Sequence, residues 1–126
     1  MSKEIEAHER GHQAAFAFYH VASRIEGPLT IPEPHHLTAE QQLVVLVSGA
    51  VNEYLHFPST LLMNGCGGDA ALLCKALHGT NEVAYAAALA CIVAGSNARL
   101  CIPVEHEQLI REAVREAQTI LEGVPQ

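Results

Sequence analysis

The sequence predicts a mainly α-helical, single-domain bundle of about five helices with at most one residual short strand. Its 126 residues, 49% of them apolar, can form one hydrophobic core but not two ordinary domains. Apolar residues recur at helical spacing along most of the chain, and most of these segments follow a residue that commonly caps a helix N-terminus. Two loops rich in proline and glycine separate the helical segments.

The first predicted helix begins after Ser2, a suitable N-cap, and extends to about Arg24. Its apolar face would contain Ala14, Phe18, Val21, Ala22 and Ile25. The first loop, residues 27–36, contains three prolines, which exclude a long regular element. Within this loop we expect only a short edge strand at residues 29–31.

Thr38 and Gln41 form a predicted capping box that opens the second helix, over the apolar residues 43–55. The second loop, residues 57–68, ends in Gly-Cys-Gly-Gly. A short third helix follows, from Asp69 to about residue 77, and Gly79 closes it.

Thr80 or Asn81 would cap a fourth helix that extends through Ala94. Because this helix is apolar on every side, we expect it to form the buried centre of the fold. Pro103 favours the first position of a fifth helix, over residues 104–121. Its buried face would contain Leu109, Ala113, Ala117, Ile120 and Leu121, and its exposed face Glu112, Arg115, Glu116 and Glu122.

The charge balance excludes several classes of function. Fourteen acidic residues against seven basic ones give a net charge of −7, which disfavours binding to nucleic acids or anionic membranes.

The longest apolar run, residues 83–94, is too short to span a bilayer, which takes about 20 residues. The acidic N-terminus lacks the pattern of a secretory signal, so we expect a cytoplasmic protein.

The four cysteines, Cys66, Cys74, Cys91 and Cys101, form no C-x-x-C pair. We expect reduced thiols that serve as small core residues. Cys66 is considered separately, because it lies shortly before Asp69, which is a candidate metal ligand.

The strongest sequence signal for a metal-binding or catalytic site is an H-E-x-x-H motif within the first predicted helix, His8-Glu9-Arg10-Gly11-His12. Residues four apart lie one above the other on a helix, so the two imidazoles can share one tetrahedral zinc ion. Glu9 lies at the edge of that face, where its carboxylate can act as a general base toward a water at the metal. The alternative is that these three side chains belong to a solvated helix face.

A catalytic zinc site needs a third protein ligand. Asp69 is the first candidate, because the glycines before it allow the backbone to approach the first helix; the alternative is a plain helix N-cap. Glu53 is the second; the alternatives to ligation are a charged residue that faces solvent or a partner that orients a ligand histidine. Cys66 is the third, and a thiolate ligand would indicate a structural site.

The other histidines give weaker signals. His35 and His36 lie in the proline-rich loop, where either ring could face an open metal site, although solvated loop residues are more common. The remaining four, His20, His56, His78 and His106, are interpreted as ordinary surface or cap residues. No motif for a serine nucleophile or a phosphate-binding loop is present.

Three segments resemble the peptidase domain of FtsH-type ATP-dependent zinc metalloproteases. Residues 7–14, AHERGHQA, are similar to the H-E-A-G-H-A helix of that family. Residues 48–57, SGAVNEYLHF, resemble its G-x-x-A-E-E-x-x-F helix, and residues 64–69, NGCGGD, its T-G-A-S-N-D segment. The resemblance covers residues 7–75, the stretch between the first two helices is shorter here, and the chain contains no ATPase module.

The resemblance implies zinc ligation by His8, His12 and Asp69, with Glu9 as the base that activates water. We therefore expect a zinc-dependent metallopeptidase that acts on flexible peptides or unfolded protein segments. A second hypothesis is a catalytically silent relative that keeps the fold, and the metal, as a binding or regulatory module. A third is a homo-oligomeric structural protein whose fourth helix is buried between subunits.

Overall fold

The computed structural model describes residues 2–59 and 67–124. Within them the chain is mainly helical, with five α-helices and one two-stranded sheet, which confirms the predicted fold class. In chain order the elements are α1 (Lys3–Phe18), β1 (Ser23–Glu26), β2 (Leu29–Pro32), α2 (Ala39–His56), α3 (Gly67–Ala76), α4 (Glu82–Val93) and α5 (Val104–Glu122).

Helix α1 begins where the sequence predicts and ends earlier. The Ser2 hydroxyl accepts a hydrogen bond from the backbone N–H of Ile5 at 3.2 Å. The helix ends at Phe18, because His20 adopts a left-handed conformation with a φ of 63° that a helix interior does not tolerate. The prediction that this helix continues to Arg24 was therefore wrong.

The buried face of α1 also differs from the predicted one. Ala15, Phe16 and His12 are buried, whereas Phe18 is 53% exposed. Of the predicted apolar stripe, Val21 is buried, but it lies beyond the end of the helix. The H-E-x-x-H motif therefore shares the side of α1 that faces the protein interior.

A hairpin replaces the predicted end of the first helix. Strands β1 and β2 pair antiparallel, with Ile25 opposite Thr30 and Glu26 opposite Leu29. Gly27, at a φ of 56°, provides the turn between them, a conformation that glycine adopts without strain. The expected short strand at residues 29–31 is confirmed as β2, while its partner β1 was not predicted.

Helix α2 is the centre of the fold. It begins with the predicted capping box, in which the Thr38 hydroxyl accepts from the Gln41 backbone N–H and the Gln41 side-chain amide oxygen accepts from the Thr38 backbone N–H. Residues 43–53 are buried almost throughout, and the helix packs against α1, α3, α4 and α5. Every later element is therefore positioned relative to α2.

Helix α4 is peripheral, contrary to prediction. Its inner side buries Tyr85, Leu89 and Ile92, but Val83 on the outer side is 78% exposed. Much of its surface is alanine, which adds little apolar area and is tolerated in contact with water. Asn81 caps it by accepting from the Ala84 N–H. No helix in residues 2–59 or 67–124, α4 included, has the length and hydropathy of a bilayer-spanning segment.

Helix α5 matches the predicted bounds closely, but near its start the buried position is one residue later than predicted. Ile110 is fully buried, while Leu109, which the sequence analysis placed inside, is 38% exposed. Four other predicted core residues are buried: Ala113, Ala117, Ile120 and Leu121. The predicted exposed residues, Glu112, Arg115, Glu116 and Glu122, face water.

The cysteines divide between core and surface. Cys74 is buried in the main core, as expected, and Cys91 is partly buried. Cys101 is exposed, which corrects the expectation that it would be a core residue. Cys66 lies outside the described residues.

Close packing of α1 on α2 positions the motif. Gly11 lies directly against α2, where a Cβ atom would come within 2.8 Å of the Asn52 Cβ and closer still to the Ser48 carbonyl oxygen. The Asn52 side-chain amide donates to the carbonyl oxygen of Ala7 at 2.7 Å. Both contacts fix the height and rotation of α1, and with them the directions of the motif side chains.

Candidate metal centre

The two motif histidines lie one turn apart on the side of α1 that faces α2. Their ring centroids are 4.9 Å apart and their planes are nearly perpendicular, at 73°. His12 is buried and His8 is partly buried. The two imidazoles therefore lie one above the other on one helix face, as predicted.

Hydrogen bonds on the outer nitrogens fix the orientation of both rings. His8 Nδ1 donates to the Glu53 carboxylate at 2.9 Å, and His12 Nδ1 donates to the carbonyl oxygen of Val45 at 2.8 Å. Both acceptors belong to α2 and have no proton to give. The proton of each neutral ring is thus on Nδ1, and each Nε2 lone pair points toward the space between the rings.

Asp69, in the first turn of α3, brings a carboxylate to the same space. Its Oδ2 atom contacts His8 Nε2 at very short range and lies 3.0 Å from His12 Nε2. The structure therefore brings the motif histidines together with the acid that the sequence analysis ranked first. Three potential metal-binding atoms converge on one point.

Glu9 lies beside this cluster. The potential ligand atoms of His8, Glu9 and His12 all lie within 4.8 Å of one another, and the three residues form a group that could hold a metal ion. The Thr30 hydroxyl donates to Glu9 Oε1 at 2.7 Å. Glu9 is only 8% exposed, so its side chain does not belong to a solvated helix face.

Gly49 of α2 provides the space in which the ligand atoms converge. A Cβ atom at this position would lie 2.5 Å from His12 Nε2 and 2.6 Å from His8 Nε2. Any side chain here would therefore occupy the region between the two imidazoles. The absence of a side chain at Gly49 therefore allows both Nε2 atoms to lie against the backbone of α2.

The electrostatics of the centre favour a cation. Burial lowers the pKa of His8, but the Asp69 and Glu53 carboxylates outweigh it and raise that pKa to about 9. Burial would raise the pKa of Asp69, but hydrogen bonds with His12 and His8 outweigh it and hold that pKa well below its ordinary value. A positive charge between these groups is thus stabilised, whether a proton or a metal ion carries it.

The donor set suits a divalent metal ion such as zinc. Two imidazole nitrogens and one carboxylate oxygen are a common set of protein ligands at catalytic zinc sites, which keep a further position open. Around a tetrahedral ion with bonds of roughly 2.0–2.2 Å, donor atoms lie about 3.3–3.6 Å apart. The 3.0 Å between His12 Nε2 and Asp69 Oδ2 is shorter than that, and His8 Nε2 lies closer still to Oδ2, so the three donor atoms would separate slightly around an ion.

A cleft of about 780 Å³ borders the cluster. Helix α1, the hairpin, α2 and α3 all contribute to its walls. Its apolar lining residues are Ile5, Phe16, Pro28, Leu29, Val45, Leu46 and Leu72, and its acidic ones Glu4, Glu9, Glu53 and Asp69. A ligand of substantial size can therefore reach the candidate metal centre.

The other candidate residues have different places. Glu53 contacts the outer nitrogen of His8, which matches the orienting role that the sequence analysis left open. His35 and His36 are exposed in the loop before α2, and His35 packs edge-on against Phe16. His106 is more than a surface residue, because its Nδ1 lies 2.6 Å from the Tyr85 hydroxyl oxygen.

Three residues that contribute to the centre were not predicted from the sequence. Val45 acts through a backbone carbonyl, for which no residue type is a signal. Thr30 lies in a short strand whose pairing was not predicted. Gly49 had a detectable signal, since an isolated glycine inside an apolar helix indicates a close approach by another group.

Comparisons with known proteins give this centre no counterpart: no protein-family model, curated protein or solved structure matches the chain.

Proposed function

We propose that the protein is a zinc-dependent metallopeptidase that acts on flexible peptides or unfolded protein segments. The observation that carries the proposal is the convergence of the Asp69 carboxylate with the Nε2 atoms of His8 and His12. These residues would hold the zinc ion. We also propose that the chain is a shortened relative of the FtsH-type peptidase domain, because each of the three similar segments contributes a described residue to this centre: His8 and His12, Glu53, and Asp69.

The residues around the centre suit hydrolysis. When bound, zinc would act as a Lewis acid toward a peptide carbonyl and would make an attacking water more acidic. Glu9 would accept a proton from that water and later donate it to the leaving nitrogen. Glu53 and Val45 would orient the ligand imidazoles by accepting their Nδ1 protons, which directs each Nε2 atom toward the metal.

The cleft supports a peptide as the substrate. Its apolar walls can bind side chains of an extended segment, and Leu29 of β2 is exposed at its margin. The hairpin is short, so fewer contacts are available than along a long substrate-binding strand. We therefore propose flexible segments rather than folded proteins as substrates.

The first experiment measures metal. Protein purified without added zinc is analysed by mass spectrometry for metal content, together with His12→Ala and the exposed-loop control His36→Ala. We expect about one zinc per chain in the wild type and in His36→Ala, and a large loss in His12→Ala. Equal, substoichiometric zinc in all three would remove the metal from the proposal.

The second experiment measures hydrolysis of a diverse peptide library by the wild type, Glu9→Gln and the control Glu4→Gln, which changes another acid of the same cleft. Loss of the base is expected to reduce kcat by about a hundredfold or more, with zinc retained. The control should remain near wild-type activity. If the wild type and Glu9→Gln show the same background cleavage while zinc is bound, the protein is a metal-binding module without peptidase activity.

A further inference from the structure

The side chain of Thr30 connects the hairpin to the proposed base. Thr30 lies in β2, opposite Ile25 of β1, and it borders the cleft. Its hydroxyl oxygen is 2.7 Å from Glu9 Oε1 and 3.0 Å from the Glu9 carbonyl oxygen. Both Glu9 atoms are acceptors when the carboxylate is ionised, so the Thr30 hydroxyl is the donor.

The Glu9 carboxylate is buried, and a buried carboxylate needs donors to remain in one orientation. Among residues 2–59 and 67–124, Thr30 supplies the side-chain hydrogen bond to it. A β-branched side chain in a strand has few χ1 rotamers, so the direction of the hydroxyl is set by the backbone of β2. The hairpin thereby determines where the carboxylate lies.

We propose that Thr30 is a positioning residue that holds the Glu9 carboxylate at the metal centre through Oε1. This arrangement leaves Oε2 to take the proton from water and to return it to the leaving nitrogen, while Thr30 keeps its own proton. The role in proton transfer rests on the proposed peptidase function. The placement of the carboxylate does not.

The test uses Thr30→Val, which keeps the shape and removes the hydroxyl, and Thr30→Ser, which restores it. Thr119→Val is the matched control, because Thr119 donates its hydroxyl to the Arg115 carbonyl oxygen on the surface of α5. The first readout is the carbon-13 resonance of the Glu9 carboxyl group in glutamate-labelled protein. Its assignment comes from its disappearance in Glu9→Gln.

We expect the Glu9 resonance to shift in Thr30→Val and to stay at the wild-type position in Thr30→Ser and Thr119→Val. An unchanged resonance in Thr30→Val would overturn the proposal, as would an equal shift in the control. This readout does not depend on catalysis. It therefore still decides the position of the carboxylate if wild type and Glu9→Gln hydrolyse peptides equally, a result that would remove the proposed function.

The second readout is peptide hydrolysis with zinc content measured in parallel. We expect kcat to fall about tenfold to a hundredfold in Thr30→Val, with KM and zinc content unchanged, and to recover in Thr30→Ser. Wild-type kcat in Thr30→Val would contradict a positioning role. A parallel loss of zinc would also contradict it, since it would indicate general damage to the centre.

Discussion

The Asp69 carboxylate lies 3.0 Å from His12 Nε2, although the two residues are 57 positions apart in the chain. Helix α2 makes this contact possible, because both α1 and α3 pack against it. A buried carboxylate and two imidazoles in contact cost desolvation energy that ordinary packing would avoid. A group of such side chains at the margin of a cleft is typical of a functional centre rather than of a hydrophobic core.

Gly49→Ala is expected to abolish tight metal binding. The new methyl group would lie where the two Nε2 atoms face each other, so both rings must move. We expect metal affinity to fall well over tenfold, as measured by competition with a chromophoric chelator. Gly68→Ala is the control, since a Cβ there meets nothing within 4 Å; wild-type affinity in both variants would contradict the role of Gly49.

Removal of the Glu53 carboxylate should weaken metal binding without removing a ligand. Glu53→Ala leaves His8 Nδ1 without its carboxylate acceptor, so the ring is no longer held in the metal-binding orientation. Loss of such a partner typically costs about 10- to 100-fold in metal affinity. Glu53→Gln keeps an acceptor oxygen and should lose less. An equal loss of affinity in the two variants would show that hydrogen-bond geometry at His8 is not the cause.

Metal affinity should increase with pH, because zinc must displace a proton from His8. The pKa of His8 in the metal-free protein is raised to about 9, so protons compete with the metal across the neutral range. Affinity measured by chelator competition should rise from pH 6 to pH 9 and then level off. A constant affinity over this range would show that His8 releases no proton on binding.

The stability of the metal-free protein should change in the opposite direction. The raised His8 pKa contributes stability that is fully present below pH 6.5 and is lost as the pH rises through about 9. The lowered Asp69 pKa contributes stability above about pH 4 that is lost in acid. Urea unfolding of chelator-treated protein should show a decrease of at most about 3 kcal/mol from pH 6 to pH 9.5. His8→Gln should remove most of this slope, and an unaltered slope would assign the effect to another group.

Gly11→Ala should destabilise the fold itself. The added methyl group would meet the backbone of α2 at Ser48 and the Asn52 Cβ, and neither can yield without separating the two helices. Overpacking of this kind costs about 1–3 kcal/mol, and because the clash is with backbone we expect a cost above the roughly 1 kcal/mol that alanine gains over glycine in a helix. Urea denaturation measures the difference. Gly68→Ala, which has free space, should be neutral or stabilising.

Local signals predicted most of the helices and the side chains that meet at the candidate centre. The Thr38–Gln41 capping box, the Ser2 cap and the apolar spacing in α5 act over a few residues, so the sequence displays them directly. The four-residue spacing of His8 and His12 is likewise local. Asp69 was identified because glycines before an acid indicate a close backbone approach.

Other features depend on tertiary context. Val21 and Ile25 fit helical spacing, and only the left-handed His20 and the pairing of β1 with β2 show that the chain turns back there. The all-round apolar pattern of α4 indicated burial, but its alanines cover a surface of the molecule. Which of Asp69 and Glu53 would contact the inner nitrogen of His8 depends on the rotation of α2 and α3, and no local pattern encodes that rotation.

A crystal structure of the protein grown with zinc, with anomalous diffraction recorded at the zinc edge, tests the account most directly. We predict one strong peak about 2.0–2.2 Å from His8 Nε2, His12 Nε2 and a carboxylate oxygen of Asp69. A peak that lacks Asp69 among its ligands, or no peak between the two imidazoles, would contradict the proposed metal centre.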